Sequence, residues 1–208
     1  MNITSFKYPF YLIFHPFNGF WELKYEQRRT ASLAVSCVIL FLLVLTNVLK
    51  AQYTGFLVNY NNPHDLNSFM EIVYVLLPVL FWCVANWSLT TLMEGEGKFV
   101  EIFISTCYAF LPMVLLQFPW IWLSNLISDQ ETPFYFFFGN LSALWCVFLL
   151  FIGNMTVHQY SPSKTLLTMA LTVVAIGFIA FLGLLFFSLI QQIVGFASTI
   201  YQEFELRK

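Results

Sequence analysis

The stretch ANWSLTTLMEGEGKFVEIFISTCYAFLP, residues 85–112, decides the fold. An apolar run ends near Leu92, and a polar turn of Glu94, Gly95, Glu96, Gly97 and Lys98 follows at once. A second apolar run starts near Ile102. Long apolar runs joined by so short a turn are helices that cross a membrane and come back. Elsewhere polar residues are sparse and scattered, whereas here they are concentrated.

Working outward, the whole chain has the same character. It is 59% hydrophobic, 20% aromatic and only 10% charged, where an ordinary soluble domain carries about a quarter charged residues. Such a chain cannot keep a water-facing surface, so the lipid bilayer is its first partner. A formal net charge of −2 gives no reason to expect nucleic acid. The 208 residues allow one membrane domain and no separate soluble one. Cys37, Cys83, Cys107 and Cys146 all lie in apolar runs, which argues against a disulfide framework and against a metal site. The first thirty residues mix proline, charge and aromatics, so no cleavable signal peptide is expected.

A span needs about 20 mostly apolar residues. Five stretches qualify, near Ala31–Leu49, Ile72–Leu92, Ile102–Leu126, Phe134–Met155 and Leu166–Ile190. In lipid the backbone must satisfy its own hydrogen bonds, so each is a helix, and the runs are too long and too uniform for barrel strands. The expected fold is all-α: a polytopic bundle of five transmembrane helices preceded by an interfacial amphipathic helix. Residues 1–30 form a cytoplasmic interfacial segment, 31–190 the membrane domain and 191–208 a short tail. Lys7, Lys24, Arg28, Arg29, Lys98 and Lys164 share one side, and Lys50, Asp65, Asp129, Glu131, Arg207 and Lys208 the other. The basic excess puts the N-terminus in the cytoplasm and the C-terminus outside.

Pro9 and Pro16 rule out a sixth span. Pro16 suits the first turn of a short helix, from which Phe17, Phe20, Trp21 and Tyr25 fall on one face. Aromatics beside basic residues favour a helix lying at the headgroups. The alternative is an aromatic plug packed against the bundle.

Asn86, Trp87, Ser88, Thr90 and Thr91 lie within the second span. An amide in hydrocarbon needs a partner, and interhelical bonding is favoured over a ligand contact. In the turn, glycine permits the positive φ that a tight turn demands. The alternating Glu94, Glu96 and Lys98 read either as a solvated loop or as a docking surface. Two carboxylates and the wrong spacing exclude a phosphate loop. Pro112 and Pro119 kink the third span, for gating or for packing. Thr90 and Lys98 align with Thr156 and Lys164 at a constant offset, a hint of duplicated hairpins.

No catalytic, cofactor or metal residues are expected. His15, His64 and His158 have no second ligand at metal spacing. His15 borders the short helix, and His158 meets headgroups at a span end. No Asp, Glu, Lys or Arg lies deep in a span, which lowers the prospect of ion-coupled transport.

Three groups of residues carry a family resemblance. They are His15-Pro16 with Phe20, Leu23 and Lys24; Asn86-Trp87 with Leu89 to Leu92 and the turn through Lys98 and Phe99; and Tyr108-Ala109 followed by Pro112. In these the chain resembles the Yip-domain (Ypt-interacting) proteins, and their bacterial branch in particular, over nearly its whole length. Eukaryotic members look like scaffolds that bind small GTPases, but the long cytoplasmic region that precedes their spans is missing here. Bacterial members are often found alongside ABC-transporter components. The resemblance implies a non-enzymatic scaffold or accessory subunit of the bacterial cytoplasmic membrane, contacting another membrane protein such as an ABC transporter, or itself. Its partner contact is expected at Glu94, Gly95, Glu96, Gly97, Lys98 and Phe99, flanked by Phe17, Phe20 and Trp21, with Asn86, Trp87 and Thr90 as the intramembrane polar contact. The rival reading is a small oligomeric transporter or channel for a neutral solute, lined by Asn86, Ser88, Gln117 and Asn140. A lipid-handling enzyme is a distant third.

Overall fold

In the computed structural model the described residues are 8–26, 29–59, 61 and 66–206, without the side chains of 29–31, 203, 204 and 206. Lys7, Arg28, Asp65, Arg207, Lys208 and His64 lie outside them, as does the side chain of Arg29. Among the described residues every regular element is helical: α1 (Tyr8–Phe14), α2 (Pro16–Tyr25), α3 (Arg29–Tyr53), α4 (Ser68–Leu92), α5 (Phe99–Ala109), α6 (Leu111–Leu123), α7 (Thr132–His158) and α8 (Pro162–Leu206). A 3₁₀ turn, Asp129–Glu131, leads into α7.

Among the described residues five stretches are long and apolar enough to cross a membrane: Ser32–Tyr53, Ser68–Leu92, Phe99–Leu123, Asp129–His158 and Pro162–Gln202. The protein is therefore a multi-pass membrane protein in a bilayer. The helices overrun most ends of the apolar runs because polar residues at an end add backbone bonds without a new nucleation cost, whereas the third stops at Leu123, short of the expected Leu126. In the fourth span the extra turn carries Thr156, Val157 and His158. The fifth crosses Ile190 unbroken, so residues 191–206 continue α8 rather than forming a separate tail. At 45 residues, α8 is about 67 Å long, roughly twice the hydrocarbon thickness.

Many hydroxyl groups inside the helices satisfy themselves locally. The hydroxyls of Ser36, Thr46, Thr106 and Thr172 donate to carbonyls one turn back at 2.7–2.8 Å. Thr165, Thr168 and Thr172 are fully buried along one side of α8, which packs mainly on α4.

The third span breaks at Phe110, between α5 and α6, where Pro112 sits in the first turn of α6 and lacks the N–H a continuous helix needs. That break lies beside the core. Tyr8, Leu12, Phe20, Ile104, Tyr108, Leu149 and Ile152 are the centre of the main apolar cluster. The rings of Tyr8 and Tyr108 meet edge to face at 6.4 Å, and the Tyr8 hydroxyl donates to the Gly19 carbonyl. Burial pushes the Tyr8 phenol up, so it stays protonated. Tyr108 is the tenth residue of its span, so α1 reaches about 15 Å into the bundle. The face expected to lie at the headgroups is thus divided. Phe20 and Leu23 pack inward as part of a plug, whereas Phe17, Trp21 and Tyr25 stay about half exposed.

At the end of the bundle opposite the Glu94–Phe99 turn, two loops are stapled together. Gly55 N–H donates to Ser124 Oγ at 2.8 Å, and Asn125 Nδ2 to the Tyr53 carbonyl at 2.9 Å. A Cβ on Gly55 would lie 2.2 Å from the Ser124 carbonyl oxygen, so no larger residue fits this approach.

Candidate functional site

Helices α4 and α7 both stop at the same end of the bundle, and both stop in the same way. Glu94 (φ 60°) and Gln159 (φ 55°) adopt left-handed backbone. The next N–H groups, of Gly95 and Tyr160, donate back to Thr90 and Met155 at 2.8 and 3.1 Å. This six-to-one bond is the Schellman closure, which satisfies carbonyls that a helix end leaves open. The match pairs Thr90 with Met155, one residue away from the sequence alignment that pairs Thr90 with Thr156.

The expected role of the glycines is corrected by this geometry. No glycine has positive φ among the described residues; Glu94 takes that conformation instead. Gly95 and Gly97 are needed because the turn lies directly on a buried ring. A Cβ on Gly95 would come within 2.6 Å of His158 Nδ1 and 2.7 Å of the Tyr160 hydroxyl. One on Gly97 would come within 2.5 Å of Val157 Cγ1 and 2.7 Å of His158 Cε1.

His158 is accordingly not a headgroup residue. It is 1% exposed, with its ring stacked on Tyr160 at 5.4 Å. Asn86, fully buried, joins it to a third residue. Asn86 Nδ2 donates to Asn154 Oδ1 at 3.2 Å, which leaves Asn86 Oδ1 facing His158 Nε2 at 3.0 Å. That amide therefore fixes the tautomer with the proton on Nε2. Thr90 Oγ1 donates to the Asn86 carbonyl at 2.7 Å. The Tyr160 hydroxyl donates to the Met93 carbonyl at 3.0 Å, holding the start of the turn to the start of the next loop. Burial raises the Tyr160 phenol, with Glu94 adding to the effect.

Lys24 ties α2 to the same point. Its ammonium donates to the Val157 carbonyl at 2.9 Å and reaches Glu96 at 3.4 Å. A cation on the last carbonyls of α7 complements the negative helix end. Glu96 is mostly exposed, so its ion pair adds little by itself. Lys24→Met is expected to lower stability by about 1 kcal/mol, chiefly through the open Val157 carbonyl, measured as the shift in thermal unfolding of the detergent-solubilised protein.

The expected site residues are thus divided into an outer and an inner set. Glu94, Glu96, Lys98 and Phe99 are exposed on the turn, where Lys98 N–H donates to Glu101 Oε2 at 3.1 Å to start α5. Trp87 points away from Asn86 and packs edge to face on Phe99, with ring centroids 6.0 Å apart. Phe17 and Trp21 line an open groove of about 370 Å³ with Gln159 and Tyr160. Phe20 is 1% exposed and packs toward Gly153, so it supports this surface from beneath and does not present itself to a partner. Asn86 and Thr90 belong to the buried network. Its other members, Asn154, His158, Tyr160 and Lys24, were not among the expected contacts. The spacing of Asn154 and His158, four apart like Asn86 and Thr90, was the available signal, since it puts both on one helix face.

Apart from the Lys24 ammonium, the network is a chain of amide, imidazole and hydroxyl groups acting as hydrogen-bond donors and acceptors. His158 is held by an amide, and no hydroxyl or thiol bonds to it among the described residues. No group of three or more potential metal ligands occurs among them either.

A family model described as the Yip1 domain matches residues 10–185. The chain is also 29% identical over 92 residues to the dual 3′,5′-cyclic-AMP and -GMP phosphodiesterase beta of Plasmodium falciparum (isolate 3D7). That alignment takes in 44% of this chain but 8% of the relative, so the relative's activity does not transfer. No solved structure matches the chain.

Proposed function

The chain belongs to the Yip1 domain family, which is not an enzyme family, and from that premise we propose that it is a membrane scaffold or accessory subunit docking another membrane protein through its Glu94–Phe99 face. The observation that carries this reading is the fixed turn. Its backbone rests on His158, Tyr160 and Val157, its Glu96 is tied to α2, and its charged and aromatic side chains face outward. A solvated connector needs no such foundation. A docking surface gains from it, because a loop already ordered loses less entropy on binding. Phe17 and Trp21, exposed beside a groove, supply the aromatic area that interface centres favour.

The reading places this face in the cytoplasm of a bacterial cell membrane, where an ABC-transporter subunit is a suitable partner class. Lys98→Glu reverses the charge of an exposed residue that makes no side-chain hydrogen bond among the described residues. It is expected to weaken a copurifying membrane partner at least about tenfold while leaving the melting temperature within about 1 °C of the parent. Pull-down from native membranes in mild detergent, with the stoichiometry measured, checks this. A protein that runs alone, and that in vesicles passes a neutral solute until Asn86→Leu stops it, defeats the scaffold reading. The polar residues such a path would use are divided, with Asn86 in the buried network and Gln117 and Asn140 at a cavity near the opposite end.

A further inference from the structure

That second cavity, about 390 Å³ between the ends of α3, α6 and α7, is unused by the docking face. We propose that it binds the phosphate of a phospholipid headgroup. Lys50 lines it one turn before the end of α3, while Gln117 and Asn140 line it about 9 and 12 Å in from the ends of α6 and α7. It therefore spans the depth at which headgroup gives way to acyl chain.

Its chemistry selects an anion. Lys50 supplies a cation, and no carboxylate is among the lining residues described. The Trp120 indole lines it, and its Nε1–H is a buried donor without an acceptor among the described residues. An indole N–H only donates, so whatever satisfies it must bring an acceptor. The indole is not free to turn away, since it packs on Phe138 with ring centroids 4.6 Å apart. Neither Gln117 nor Asn140 makes a side-chain hydrogen bond among the described residues, so both amides are free to donate. The wall opposite is prearranged. Asn59 Nδ2 donates to the Ala51 carbonyl at 3.2 Å, and the Gly55–Ser124 staple fixes the loop beside it.

The walls also indicate which phosphate. Met113, Phe136 and Gly139 make one side of the cavity apolar, and Phe136 is 42% exposed on a membrane-spanning helix. A phosphate seated on Lys50 and Trp120 would leave its glycerol and acyl chains to run past Phe136 into lipid. Free phosphate would leave that apolar wall facing water.

The test is native mass spectrometry of the full chain released from detergent, with phosphatidylglycerol, diacylglycerol and inorganic phosphate as separate probes. One phosphatidylglycerol is expected to be retained. Lys50→Gln is expected to lower its occupancy about tenfold and Trp120→Phe about threefold, with Lys164→Gln, at the opposite end of the bundle, unchanged. Equal retention of diacylglycerol, or occupancy indifferent to Lys50→Gln, overturns the proposal. Inorganic phosphate binding through Lys50 while phosphatidylglycerol does not bind overturns the lipid source. Should a variant fail to fold, the unaltered chain decides the matter. A photoactivatable phosphatidylglycerol must label the peptide holding residues 113–140, and labelling confined to other peptides sinks the idea.

Discussion

Gly97→Val is expected to lower the stability of the bundle by about 2–3 kcal/mol, the upper part of the range for overfilling a packed site, and to abolish partner capture through the turn. The β-carbon alone would lie 2.5 Å from Val157 Cγ1 and 2.7 Å from His158 Cε1. Neither neighbour gives way cheaply. Val157 is β-branched and 4% exposed, and the His158 ring is held from its far side by Asn86. The turn itself must lift, which strains the Lys24–Glu96 pair and the Tyr160 bond to Met93. Gly183→Ala is the matched control. A Cβ there meets nothing within 4 Å, so alanine is expected to be neutral or to stabilise α8 by up to about 1 kcal/mol. Thermal melts in one detergent, read beside the pull-down, compare the two. If Gly97→Val melts with the parent, the turn is not seated as described, and its two glycines are ordinary loop residues.

The spans and the alternation of the turns were legible because hydrocarbon leaves the backbone no choice but helix. Three basic segments gathered at one end also follow from sequence, and Lys24 does meet Glu96 and Val157 there. The residues that carried the family resemblance prove to be packing partners. Phe20, Tyr108 and Ala109 share the core, and Asn86 and Thr90 share the polar network. What stayed hidden was depth. Hydropathy treats Thr156 to His158 as the polar edge of a span, yet one more helical turn carries His158 beneath the neighbouring loop. A polar residue at a span end can face headgroups or a buried amide, and only the approach of another helix decides which. The same holds for α1, whose Tyr8 and Leu12 look interfacial by composition but fill the space beside Tyr108. The role of Gly95 and Gly97 was invisible for the same reason. A glycine chosen for its own φ and one chosen for a neighbour's ring are identical in sequence.

Asn86→Leu is expected to cost about 2–4 kcal/mol, well above the typical interhelical hydrogen bond in a membrane, about 0.6 kcal/mol. That smaller figure applies where a group that loses its partner finds another. The Asn86 side chain makes two bonds at a site of 0% exposure, so leucine orphans both the His158 Nε2–H and the Asn154 Oδ1. Each orphan is worth about 1–3 kcal/mol. Asn154 Nδ2, a donor, and His158 Nδ1, an acceptor in this tautomer, already lack partners among the described residues, so leucine adds two more unmet groups to a network that already holds two. Replacing all three of Asn86, Asn154 and His158 by leucine removes the orphans together, and much of the stability is expected to return, since apolar residues of similar volume substitute well for a buried polar pair. Unfolding titrations of the single and triple variants measure both effects. A single variant that loses no more than about 0.6 kcal/mol would show the amide to be ordinary interhelical glue. The triple variant separates stability from docking. If it melts near the parent yet no longer holds the partner, the polar network exists to position the turn. If it keeps both, the apolar packing around Val157 positions the turn unaided.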